Sequence, residues 1–205
     1  MKSNVCKIEN GTNDLDAILK ESEKVAVYNE LTHKQTLQLR LMCEEIDGML
    51  PNIIENFSGD FWIDFEEGIC KVNLSIRFDE FTAEKKEGLV AIAKNKKNAA
   101  AVGIVGKIRS ALEDVFLGED SIGYGDAALD SRCFVTDYYG GMDHYFGMDY
   151  ARLWSLEQYR STVQKEEKEE AWDELEKSVI ASVADDVIVG VKGKRADIIV
   201  VKKFA

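Results

Sequence analysis

The sequence predicts an α+β fold in which helices cover one face of a largely antiparallel sheet. Apolar and polar residues alternate strictly from Cys70 to Phe78, which is typical of a strand with one buried and one wet face. Apolar residues between Thr36 and Phe57 recur at steps of three and four, the spacing of one helix face. Polar residues on the strand favour antiparallel pairing. We therefore expect a two-layer α/β sandwich with a mixed, mostly antiparallel sheet and helices on one face.

Composition and charge limit the class of protein. The chain has 205 residues, of which 45% are hydrophobic, so we expect a single domain over residues 1–205. The net charge of −12 disfavours binding to nucleic acid or to an anionic membrane surface. No apolar run approaches the roughly 18 residues that span a bilayer, and no signal peptide is evident, which favours a cytoplasmic protein. The cysteines are scattered without a histidine cluster, which predicts free thiols and no metal site.

The first half of the chain predicts two helices and a hairpin. Residues Leu15–Val27 are amphipathic and predict a short helix, with a strand around Lys24–Tyr28. Thr32 or Thr36 can cap the second helix, whose apolar face we expect to extend to Phe57. The alternating segments 61–65 and 70–78 flank Glu66-Glu67-Gly68 and predict the hairpin.

The second half of the chain is less regular. Helices are expected at Ala83–Ala93 and Ala99–Leu117, followed by an irregular insertion at about 118–150. A long helix is predicted from Asp149 to Ala184, with Trp172, Leu175 and Val179 on a narrow buried stripe. A hairpin around Lys192–Arg195 should then place the last strand inside the sheet.

Two groups of polar residues are candidates for chemistry. The basic segment 94–98 precedes a predicted helix N-terminus, where free N–H groups favour an anion such as phosphate; an ordinary solvated loop is the alternative. Its members are Lys94, Lys96, Lys97 and Asn98. The second group is Glu44, Glu45 and Asp47, which border the apolar face of the second helix. A carboxylate at the edge of a cleft can act as a general base, although a solvated helix face is the commoner role.

Three stretches of the chain resemble the histidine-kinase-like ATPase superfamily, and within it the bacterial anti-sigma-factor serine kinases. They are similar to the first conserved helix of that family, to the hairpin after it and to its terminal strand pair. The resemblance implies a regulatory ATP-binding domain with weak or no phosphotransfer. The stretches are LRLMCEEIDGML, FWIDFEEGICKVNLSIRF and ADDVIVGVKGKRADIIVVKKF.

The resemblance assigns roles to individual residues. Glu44 stands where the family has the glutamate that activates a water or a hydroxyl. Gly48 occupies the position of the family's magnesium-binding asparagine, so ATP is implied without this ligand for Mg²⁺. Asp79 matches the acid of the D-x-G nucleotide motif, whose glycine is replaced by Phe81. The expected nucleotide-binding residues are therefore Asp47, Asp79, Lys94, Lys96, Lys97, Asn98, Gly103 and Gly106. The last two correspond to the family's glycine-rich lid, for which Gly123 and Gly125 are the alternative.

The alternative function is a degenerate, non-catalytic module of the same fold that binds a protein partner. The insertion at 118–150 is the expected binding segment in that case, because long irregular loops commonly carry recognition. No feature of the sequence indicates the oligomeric state.

Overall fold

The computed structural model describes residues 1–9, 14–53, 56–78, 152–166, 178–192 and 194–204. These residues form one sheet with the strand order β1-β2-β3-β6-β5-β4, and every neighbouring pair is antiparallel. The α+β sandwich is thus confirmed, and the described strands contain no parallel pair. The elements are β1 (Cys6–Glu9), α1 (Leu15–Tyr28), α2 (His33–Ile53), β2 (Phe57–Glu66), β3 (Ile69–Phe78), β4 (Arg152–Ser155), α3 (Leu156–Glu166), α4 (Val179–Val183), β5 (Asp186–Lys192) and β6 (Arg195–Lys203).

A single row of side chains crosses all six strands on the face that the helices cover. Five of its six members are at most 1% exposed, and they share one apolar cluster with the buried residues of α1, α2, α3 and α4. Because side chains alternate between the faces of a strand, this cluster places the described helices on one side of the sheet. The core row consists of Cys6, Phe61, Leu74, Ile198, Val189 and Trp154.

Both predicted hairpins are confirmed. The β2–β3 register ends at the pair Glu66 and Ile69, so the turn has two residues. These are Glu67 and Gly68, with φ angles of 51° and 78°. Two successive positive φ angles match the twist of a tight hairpin, and glycine adopts the second at little cost. In the closing hairpin β6 lies between β3 and β5, so this strand is inside the sheet, as predicted.

The first helix ends later than the sequence suggested. It continues through Tyr28, so the strand predicted around Lys24–Tyr28 is wrong. Thr32 caps α2: its backbone N–H donates to Gln35 Oε1 at 2.8 Å, and its Oγ1 accepts from the Gln35 N–H at 3.4 Å. This reciprocal pair is a capping box, so Thr32, and not Thr36, starts the helix.

The apolar face of α2 is confirmed and its end is corrected. Leu39, Met42, Ile46 and Met49 are all at most 3% exposed. The helix ends at Ile53, and Phe57 opens β2. Phe57 is partly buried against the core from the sheet and does not extend the helix face.

The long helix predicted from Asp149 to Ala184 is confirmed at Leu156–Glu166 and Val179–Val183 and is wrong at its start. Residues Arg152–Ser155 form β4, because they pair with β5 and place Trp154 in the core row. Val179 is 40% exposed and lies off the buried stripe. Residues 167–177, with Trp172 and Leu175, lie outside the described residues, as do the two predicted helices and the insertion between β3 and β4.

Candidate functional site

The side of α2 that faces away from the core carries two exposed leucines, an acid and a glycine. Leu37, Leu41, Glu44 and Gly48 follow one another at steps of four, three and four, which places them on one side of the helix. Leu37 is 46% exposed and Leu41 is 38% exposed. We call these four residues the outward stripe of α2.

Glu44, the predicted base, is held by a neighbour on its own helix. Arg40 Nε donates to Glu44 Oε1 at 2.8 Å, and Arg40 also lies 4.0 Å from a carboxylate oxygen of Glu23 on α1. The hydrogen bond to Glu44 raises the pKa of Arg40 above its ordinary value. The carboxylate therefore already has a cationic partner, as on a solvated helix face, and a base role requires Arg40 to release it.

Asp47 lies one helical turn after Glu44 on α2, so the two carboxylates are neighbours on the helix surface. It is half-buried, and burial raises the pKa of its carboxyl group, with a further contribution from the negative charge of Asp14. Burial and a nearby negative charge both make ionisation of a carboxyl group less favourable. The two described residues of the predicted site therefore lie next to each other on α2, although Asp47 is not part of the outward stripe.

Gly48 leaves open space on the outward stripe. A Cβ built on this residue meets no atom within 4 Å. Packing therefore does not require glycine here, and a partner or ligand can approach the helix backbone closely at this point.

Replacing Gly48 by alanine should stabilise the protein. Alanine gains about 0.5–1 kcal/mol over glycine inside a helix, because the unfolded chain loses backbone freedom. Urea unfolding of Gly48→Ala should show a higher midpoint with an unchanged slope. A loss of stability would mean that the added methyl group meets another part of the chain.

The other predicted site residues lie outside the described residues. These are Asp79, Lys94, Lys96, Lys97, Asn98, Gly103 and Gly106. Within the ranges that the structure describes, no group of three or more His, Cys, Asp or Glu side chains is placed to hold a metal ion.

Sequence patterns did not point to Asp186, a partly buried acid that opens β5 and contacts the start of α3. Its carboxylate accepts hydrogen bonds from Ser155 Oγ at 3.1 Å, from the Glu157 N–H at 3.0 Å and from the Val187 N–H at 2.8 Å. Burial raises the pKa of Asp186 despite these donors. With its oxygens engaged, Asp186 ties β5 to the start of α3. Ser155 and Gln158 are spaced as in a capping box, and this spacing was the available signal for the start of α3.

A buried acid, Glu21, joins the N-terminal residues to α1. It is 7% exposed and accepts from the Asn4 N–H at 3.1 Å, from Asn4 Nδ2 at 3.2 Å and from Lys24 Nζ at 2.5 Å. Burial raises the pKa of Glu21, but the hydrogen bonds from Lys24 and Asn4 outweigh it, and the net pKa lies below the ordinary 4.5.

Glu21 should make stability depend on pH. Because its pKa is lower in the folded state, it stabilises the fold above pH 4.5, and this contribution is lost as the pH falls through the folded-state pKa. Urea midpoints of the wild type and of Glu21→Gln should therefore differ at pH 7 and converge toward pH 3. A difference that stays constant over this range would contradict the assignment.

Among the described helices, none combines the length and apolar character that a membrane-spanning helix needs. Comparison with known proteins finds no protein-family model, no curated protein and no solved structure that matches the chain.

Proposed function

We propose that the chain is a regulatory module that binds a protein partner through the outward stripe of α2. One observation carries the proposal: Leu37 and Leu41 lie one helical turn apart and are 46% and 38% exposed. Apolar side chains grouped beside charged ones match the anatomy of a protein interface, which has an apolar centre and a polar rim. Arg40 and Glu44 supply that rim.

The partner should carry a basic and partly apolar surface. The chain has a net charge of −12, which attracts cationic proteins and speeds their encounter. Glu44, Glu45 and Asp47 follow the two leucines along α2, so the attraction is strongest beside the apolar contact. Gly48 lets the partner's backbone approach the helix. An amphipathic helix with basic residues at its edges has this chemistry.

Site-specific photo-cross-linking in the native cell tests this proposal. Benzoylphenylalanine at position 41 should give an adduct with a protein of basic isoelectric point, and Leu37→Ser should weaken that adduct. The matched control is the same probe at Val27, which is 80% exposed on α1. No adduct at position 41, or equal adducts at both positions, would contradict the proposal.

ATP binding is the second candidate. Glu44 and Gly48 lie on the outward side of α2. The glutamate and the asparagine of the ATPase family would share one side of the helix in the same way, because both face one nucleotide. In this candidate Asp79 contacts the base, residues 94–98 meet the phosphates, and Glu44 acts with weak or no phosphotransfer. Mg²⁺ would lack a ligand at Gly48, which suits a regulatory role in a bacterial anti-sigma-like system.

Restoring the missing asparagine separates the two candidates. A Cβ at position 48 meets no atom within 4 Å, and Gly48→Asn should tighten Mg²⁺-dependent ATP binding by about tenfold, the effect of one ligand worth about 1.4 kcal/mol. Gly48→Ala is the matched control and should leave ATP affinity unchanged. Calorimetry that detects no heat of ATP binding with the wild type or with Gly48→Asn would remove this candidate and leave the protein-binding proposal intact.

We also propose a cytoplasmic location. Cys6, Cys43 and Cys70 are free thiols, a state that a reducing compartment maintains. Burial raises the pKa of Cys70 to about 12, so this thiol is inert.

A further inference from the structure

An exposed apolar side chain on α4 extends the surface that α2 presents. Val179 is 40% exposed, and Ser182, one turn further along the helix, is exposed beside it. The hydroxyl group of Ser182 donates to the carbonyl oxygen of Val179 at 2.7 Å, so this polar group is already engaged. Ile180 and Ala181 are buried on the other side of the helix. The outward side of α4 is therefore largely apolar.

The second helix, α2, lies between α1 and α4. It contacts both helices, and they flank it on different sides because α1 packs on β2 whereas α4 leads into β5. In the sheet, β3 and β6 separate β2 from β5. The axes of two packed helices are about 8–10 Å apart, which leaves a furrow between their outward sides. The pair α2 and α4 therefore forms a groove on the surface that faces away from the sheet.

Two residues of α2, Leu41 and Glu45, are on the side of the helix that faces this groove. Arg40 marks the opposite side, since it lies 4.0 Å from Glu23 of α1. Successive helix residues are rotated by about 100°, so Leu41 is about 100° and Glu45 about 140° from Arg40 around the axis. Glu44 is only about 40° from Arg40 and stays near α1. We define the α2–α4 groove by Leu41, Glu45, Val179 and Ser182.

Glu45 gives the groove an acid that lacks a cationic partner. It is half-buried and forms no ion pair with any residue that the structure describes, whereas Glu44 is paired with Arg40 at 2.8 Å. A partly buried carboxylate gains stability when a cation reaches it. We propose that the α2–α4 groove binds one helix of the partner protein, with apolar side chains against Leu41 and Val179 and a lysine or arginine beside Glu45. This placement rests on the proposed function, because it names the element that the outward stripe of α2 binds.

A helix suits the groove better than a strand or a second copy of this chain. A second copy carries its own net charge of −12 and would bring further acids toward Glu45. A strand needs a row of free backbone groups to pair with, and the walls of the groove are helices whose backbone groups are paired internally. A helix satisfies its own backbone and presents apolar side chains at steps of three and four, which match the side chains on both walls.

Photo-cross-linking from both walls of the groove tests the proposal. Benzoylphenylalanine at position 179 of the full-length chain should capture the same protein that this probe captures at position 41. The two cross-linked peptides should lie in one helical segment, no more than about 11 residues or three turns apart. An adduct at position 41 with none at position 179 would overturn the groove and leave the proposed function standing. No adduct at either position would overturn both.

Two variants that remove one charge each provide a second readout. Glu45→Gln should lower the affinity for the protein captured at position 41 by about tenfold, because one cation of the partner loses its counter-charge. Glu23→Gln is the matched control on the α1 side, at a side chain that is 64% exposed, and should change the affinity by no more than about twofold. Equal effects of the two variants, or no effect of Glu45→Gln, would overturn the groove. Loss of binding in the variant that combines Leu37→Ser with Leu41→Ser reports on the proposed function separately.

Discussion

Replacing Leu74 by alanine should lower the free energy of unfolding by about 4 kcal/mol, as for fully buried leucines in rigid cores. Leu74 is 1% exposed and lies between Phe61 and Ile198 in the core row. Strands on both sides and helices above prevent the site from collapsing around the lost atoms. A loss of this size is a large part of the 5–15 kcal/mol that is typical of a domain.

Urea unfolding measures this effect, with Leu41→Ala as the matched control. Leu41 is 38% exposed, so its truncation should change stability by no more than about 0.5 kcal/mol. Similar losses for the two variants would mean that the core row is not the centre of the fold.

Gly59→Ala should destabilise the protein by about 3 kcal/mol, the upper range for overpacking. Gly59 lies in β2, where an added Cβ would overlap Ser75 O and lie 2.9 Å from Ile76 Cγ2. The first obstacle is backbone of β3, so relief requires the two strands to move apart. No side-chain rotation removes the clash.

Thermal and urea unfolding of Gly59→Ala and Gly48→Ala should give opposite signs. An added Cβ meets neighbouring atoms at Gly59 in the sheet and meets none within 4 Å at Gly48 on α2. A neutral Gly59→Ala would show that β2 and β3 are further apart than described.

Local patterns were sufficient to predict the hairpins and the buried face of α2. The alternating residues from Cys70 to Phe78 form β3 by pairing with β2, the strand just before it in the chain. The two turn residues between these strands fix the register. β4 could not be predicted in this way, because its four residues become a strand only by pairing with distant β5. The residues after β4 have helical periodicity, so the predicted helix was extended over the strand.

Less of the candidate site could be predicted from the sequence. The acids of α2 drew attention to Glu44, yet that residue pairs with Arg40. Leu37 and Leu41 fall off the buried periodicity, and this was the available signal for an exposed apolar surface. Strand β6 had a signal as well: residues 198–201 are apolar without alternation, as expected for a strand buried on both faces. The wet face predicted for β3 accordingly fails at Asn73, which is 5% exposed.

The central claim is that the outward stripe of α2 binds a basic protein. Its most direct test is the affinity of the purified cross-linked partner for the wild type and for the variant that combines Leu37→Ser with Leu41→Ser. We predict an affinity loss of about 30-fold, corresponding to about 1 kcal/mol for each leucine, with stability changed by no more than about 0.5 kcal/mol. An unchanged affinity would contradict the claim.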